Sequence, residues 1–161
     1  MTLDNPEPGD DPDTDVPEPA GVPEPADAAD VFAREVDADS LPSLRGEITA
    51  FAVAHGLTDV ALMKFVIAVY EIATNAVRHG GGHGLIRVWP VPDSLWCEVT
   101  DHGPGIPVEY RQDGQRQRGE RISGWGLWLT RQVCTEVRIT GGTGGSRVLL
   151  RYPRTGDRRS G

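Results

Sequence analysis

Between residues 31 and 152 the apolar positions change period several times, and each change marks an element. Phe32, Arg34 and Val36 alternate with Ala33 and Glu35, which predicts a short strand. Ser40 suits a helix N-cap and Pro42 a first helical turn. Leu44, Ile48 and Phe51 then recur at i, i+4 and i+7, one helical face that stops at Gly56. Thr58 or Asp59 caps a second helix running to about His79, with Leu62, Val66, Val69, Ala73 and Ala76 as its apolar stripe. Gly80-Gly81-Gly82 ends it.

Strand signals follow. Leu85–Val91 is rich in β-branched and aromatic residues, and Pro92-Asp93-Ser94 turns the chain. Beyond the turn, Leu95, Cys97 and Val99 share one face while Trp96, Glu98 and Thr100 share the other. Residues 101–124 are poor in apolar side chains, and a loop of that length inside a compact domain is usually functional. Trp125–Cys134 reads as a short helix. Glu136–Thr140 and Arg147–Tyr152 read as strands joined by a glycine-rich turn. Strands joined by tight turns are antiparallel, and helices kept apart from them cover one face of the sheet. The expected fold is a two-layer α+β sandwich whose second sheet face is at least partly open to water.

Charge separates the ends of the chain. The 161 residues carry a net charge of −8, yet residues 1–30 hold ten acids and no Lys or Arg. The remaining residues hold 14 acids and 16 bases, so the folded part is close to neutral. A basic nucleic-acid surface has no support from that balance. Residues 1–30 also hold seven of the 13 prolines and repeat Val16-Pro17-Glu18-Pro19-Ala20 as Val22-Pro23-Glu24-Pro25-Ala26. Such a stretch buries too little apolar area to offset its ordering entropy, so a disordered acidic tail is expected over 1–30, a domain over 31–152 and a loose tail over 153–161. No uninterrupted apolar run reaches 18 residues, and no membrane span is expected. With two cysteines, Cys97 and Cys134, a disulfide-built secreted domain is disfavoured and a cytoplasmic setting fits.

Four short motifs carry candidate chemistry. Glu71 and Asn75 stand at i and i+4 on one helix face, with Arg78 at i+7. A carboxylate beside an amide oxygen suits a hard cation such as Mg²⁺, and the carboxylate can also accept a proton from a hydroxyl nucleophile. Asp101-His102-Gly103-Pro104-Gly105-Ile106 follows a strand end, where a carboxylate can accept from an exocyclic amino group and glycines admit a close ligand. Gly124-Trp125-Gly126-Leu127 opens a helix, whose free N–H groups offer a phosphate seat. Gly144-Gly145-Ser146 enters the last strand. His79 and His83 are separated by the glycine run, and no Cys/His quartet for zinc is present.

In this order and spacing the motifs resemble the ATP-binding superfamily of gyrase, heat-shock chaperones, histidine kinases and mismatch-repair ATPases. Within it the chain is most similar to the small bacterial anti-sigma factor serine/threonine kinases. Residues 71–79 (EIATNAVRH), 101–107 (DHGPGIP) and 124–129 (GWGLWL) carry the resemblance, which covers about 31–152. It implies a histidine-kinase-like ATPase fold, with a mixed, mainly antiparallel sheet and about three helices on one face. It implies ATP and Mg²⁺ as cofactors, with Asn75 as the Mg²⁺ ligand, Glu71 as general base and Asp101 as the reader of adenine. Gly103, Gly105 and Ile106 would shape the adenine pocket. Gly124, Gly126 and Leu127 would close the phosphate side, with Arg111, Arg116, Arg118 and Arg121 of the intervening lid as candidate phosphate partners. Ser146 and Arg78 would approach the nucleotide. The partners implied are a sigma factor and an anti-anti-sigma protein, with a homodimer in reach and no direct contact with nucleic acid or membrane. Trp125 departs from the small or aliphatic residue usual between the two glycines. The activity implied is transfer of phosphate to a Ser or Thr of the anti-anti-sigma protein. An ATP-dependent protein-binding module without transfer is the alternative.

Overall fold

The computed structural model describes residues 21–28, 30–103, 123–142 and 144–154. The elements are β1 (Phe32–Val36), α1 (Leu41–Ala54), α2 (Asp59–His79), β2 (Gly84–Val91), β3 (Ser94–Asp101), α3 (Ser123–Val133), β4 (Glu136–Gly142) and β5 (Gly145–Pro153). The five strands form one sheet in the order β1-β2-β3-β5-β4. Every pairing is antiparallel, the pure form of the mainly antiparallel sheet expected.

Alternation along the strands builds the core. Ile86, Val88, Leu95, Cys97, Val99, Val148 and Leu150 turn to one face and meet Leu44, Ile48, Phe65, Val69, Ile72 and Ala76 of the helices. Helix α2 supplies the largest helical share, burying Phe65, Val66, Ala68, Val69, Ile72, Ala73, Ala76 and Val77. Its mean hydropathy of 1.6 over 18 residues would suit a membrane by length and composition, but in this fold that apolar stripe is spent on the core. Both α1 and α3 pack against α2.

The start of α1 differs from expectation. Ser40 stands at the N-cap position in helical φ/ψ and makes no side-chain cap bond. The capping group lies three residues earlier. Asp37 Oδ1 accepts from the N–H groups of Asp39 (2.9 Å) and Ser40 (2.9 Å), while Ser40 Oγ accepts from Asp37 N–H (2.8 Å). This reciprocal arrangement is a capping box built on an acid. The Ser40 backbone bond, followed by the Ser40 hydroxyl, holds the Asp37 carboxyl below the usual carboxylate range.

The sheet face turned away from the helices is also closed at its centre. Trp89, Trp96 and Leu149 form a second apolar cluster, against which Val22, Ala28 and Val91 pack. Residues 25–27, within the stretch assigned to the tail, form a short 3-10 turn beside β2. Next to this cluster Glu98 is only 2% exposed and is held by Arg87 from β2 and Arg147 from β5. The Nε groups of Arg87 and Arg147 reach its two oxygens at 2.9 and 2.5 Å. The face expected to be at least partly open to water is thus closed at its centre by a pair of tryptophans and a doubly held carboxylate.

Candidate functional site

Two of the predicted residues, Asp101 and Ser146, meet where β3 and β5 pair, beside the end of α2. Asp101 ends β3 and lies directly opposite Ser146 of β5 in the antiparallel register. Its Oδ2 accepts from Ser146 Oγ at 2.5 Å, and its Oδ1 accepts from the N–H groups of Gly103 (3.0 Å) and Ser146 (3.3 Å). Three of a carboxylate's roughly four acceptor positions are thus used, and the remaining one is on Oδ2. The side chain is half-buried and fixed in one orientation before any ligand arrives.

Helix α2 terminates against this carboxylate. A Cβ added at Gly80 would overlap Asp101 Cβ and Cγ, and one at Gly103 would overlap the Gly80 backbone. Gly145 has φ +132°, and a side chain there would strike the Asp101 carbonyl. All three approaches need glycine for space, and Gly145 needs it for backbone conformation as well. From the sequence, Gly80 is legible only as a helix stop. Its second role as the seat of Asp101 has no sequence signal, since any helix can end in glycine.

The rest of the chemistry stands further up α2. Asn75 and Glu71 precede Gly80 by five and nine residues, about 7 and 14 Å along the axis at 1.5 Å per residue. Both are half-buried, and among the described residues neither makes a side-chain hydrogen bond. Arg78 continues the same line and is exposed. Between them Thr74 Oγ1 is buried with no partner among the described residues. That line therefore offers a free carboxylate, a free amide and an unsatisfied hydroxyl, an oxygen-rich donor set that fits a hard cation and phosphate oxygens. Asp101, with one acceptor position left, can take a hydrogen bond from an amino group.

Other predicted residues are placed differently. Gly124 and Gly126 fall in the first turn of α3, which begins two residues earlier than expected. Leu127, on the same turn, is 5% exposed and belongs to the main core with the stripe of α2. It anchors the helix that carries the two glycines. Gly105, Ile106 and the arginines Arg111, Arg116, Arg118 and Arg121 lie outside the described residues. The two cysteines are packed as small apolar groups. Burial raises the Cys97 thiol well above its ordinary pKa, and burial pushes Cys134 up to about 12.

Residues 35–152 match the histidine kinase-like ATPase domain family. Among solved structures the chain is similar to the RsbU and RsbW domains of Rv1364c from Mycobacterium tuberculosis, at 19% identity and a TM-score of 0.58. That match covers 76% of this chain and 32% of the other, so this chain spans about a third of its length. It is also similar to the nucleotide-free catalytic domain of histidine kinase ThkA, at 14% identity and a TM-score of 0.51, over 76% of this chain and 98% of that domain. At such identities these likenesses speak for the fold. The family match agrees with the five-stranded antiparallel sheet and the three helices among the described residues, and the chain belongs to the histidine kinase-like ATPase domain family, an ATP-binding fold.

Proposed function

We propose that this protein is a cytoplasmic anti-sigma regulatory factor: a serine/threonine protein kinase that phosphorylates an anti-anti-sigma partner and alternately sequesters a sigma factor. The observation that carries the reading is the pre-set Asp101 carboxylate at the end of the helix that also bears free Glu71 and Asn75. The similarity to a structure described as containing an RsbW domain adds support for the partner-switching context.

In this reading the remaining acceptor position of Asp101 takes the adenine amino group, and Gly103, Gly105 and Ile106 wall the ring. Asn75 supplies an oxygen to Mg²⁺, which when bound neutralises phosphate charge. Gly124 and Gly126 let the start of α3 meet the phosphates, with Leu127 fixing that turn to the core. Arg78 approaches the nucleotide from the exposed side of α2. Glu71 accepts the proton as the substrate hydroxyl oxygen bonds to the γ-phosphorus and ADP leaves. Transfer of this kind rests on positioning and charge neutralisation more than on covalent chemistry by the protein.

The deciding experiment incubates the protein with labelled ATP, Mg²⁺ and candidate anti-anti-sigma proteins. Glu71→Ala is expected to reduce transfer at least 100-fold while leaving ATP affinity within about threefold, because the base acts only in the transition state. Binding without transfer to any cognate candidate would replace the kinase by an ATP-dependent binding module. Asp101→Asn is expected to weaken ATP by about 10- to 100-fold in calorimetry, the loss of one charge-assisted hydrogen bond. Unchanged affinity would remove Asp101 from the adenine pocket.

A further inference from the structure

The outer face of the sheet carries a seat that ATP chemistry does not use. Val22 and Ala28 rest on the cluster of Trp89, Trp96 and Leu149. Between them runs a cleft of about 340 Å³, with Pro23, Glu24 and Asp27 on one side and Trp89, Pro92 and Arg154 on the other. The segment seated there, Val22-Pro23-Glu24-Pro25-Ala26, is one of two identical copies; the other is Val16–Ala20, six residues upstream.

A shift of the chain by six residues preserves what the seat requires. Val16 then takes the place of Val22, and Val22 takes the place of Ala28, so both contacts on the tryptophans remain apolar. Pro17, Glu18, Pro19 and Ala20 repeat the residues of the cleft wall and the turn. Gly21 falls where Asp27 stands, at the end of the 3-10 turn. The link to β1 lengthens from residues 29–31 to residues 23–31, and closure entropy rises only slowly with loop length. Proline-rich segments are already extended, so docking either copy orders little that was free. The present register is also imperfect, since the buried Trp89 Nε1 has no acceptor among the described residues.

We propose that the Trp89–Trp96–Leu149 face is a docking groove for Val-Pro-Glu-Pro-Ala segments and that Val16–Ala20 of the same chain is its second occupant, in exchange with Val22–Ala26. The exchange pays out or retrieves six residues of acidic tail without releasing the anchor.

Cross-linking of the full chain tests this. Pro92→Cys is combined in turn with Glu24→Cys, Glu18→Cys or Asp13→Cys in a Cys134→Ser background, in which Cys97 is fully buried, and treated with a short bismaleimide at pH 7. The Glu18→Cys pair is expected to link within the chain at a rate within tenfold of the Glu24→Cys pair and at least tenfold above the Asp13→Cys pair. Adding Val16→Asp, which leaves the core untouched, is expected to lower the Glu18→Cys link tenfold and spare the Glu24→Cys link. A Glu18→Cys link no faster than that of Asp13→Cys overturns the proposal. So does a link formed only between two chains, which would seat a neighbour's segment instead.

Discussion

The two faces of the sheet are made by the same strands and obey different rules. The helix-covered face is continuous hydrocarbon, from Ile86 and Val88 through Leu95, Cys97 and Val99 to Val148 and Leu150. The outer face alternates chemistries: Trp89, Trp96 and Leu149 form a small apolar island, and Glu98 with Arg87 and Arg147 forms an ionic one. Burial on the first face is non-directional and adds up with area. On the second face Glu98 is tolerated only because two guanidinium groups meet its two oxygens, and removal of a partner leaves a desolvated charge. The fold therefore draws bulk stability from one face and geometric definition from the other.

Three measurements test that contrast. The largest effect is expected from Phe65→Ala, which empties a fully buried site between α2 and Tyr152 and should cost about 4 kcal/mol in denaturant unfolding. A loss below about 1 kcal/mol would mean that the helix-covered core is loosely packed. Glu98→Ala should cost less, about 2 kcal/mol, because Arg87 and Arg147 are each about a third exposed and can regain water. A cost equal to that of Phe65→Ala would make the ionic island a principal source of stability. The smallest effect concerns pH. Cys134 is held neutral in the fold, with its pKa raised to about 12 from 9.0 by burial. Its contribution is fully present below pH 9 and is lost as pH rises toward 12, so about 1 kcal/mol should vanish by pH 10. Thermal unfolding from pH 8 to 10.5 should show this decline, and Cys134→Ala should make it shallower by that amount, leaving the share of Cys97 and Tyr152, which burial also raises.

Periodicity made most of the helix-covered layer legible. The stripe of α2, the inward residues of β3 and the antiparallel hairpins follow from spacing alone, because a buried face must be apolar at the period of its element. Ser40 was a poorer guide, since Asp37 makes a better cap three residues earlier and the two residues bond reciprocally. The outer face was harder still. Alternation sets Trp96 and Glu98 on the second face, and only cross-strand neighbours reveal that Arg87 and Arg147 converge on Glu98. At the candidate site, Glu71, Asn75, Asp101 and Ser146 were legible as motifs. Their assembly was not, because the pairing of Asp101 with Ser146 spans 45 positions and depends on β5 inserting between β3 and β4.

That insertion has a consequence for how such a chain tolerates change. The strands β3 and β5 are neighbours at the middle of the sheet, and Asp101 and Ser146 face each other where the chain departs and where it returns. Everything between them is a closed excursion, stapled at its base by the Asp101 carboxylate. The ladder itself therefore sets where the chain leaves and where it re-enters, and lengthening the path between those two points would cost little in closure entropy.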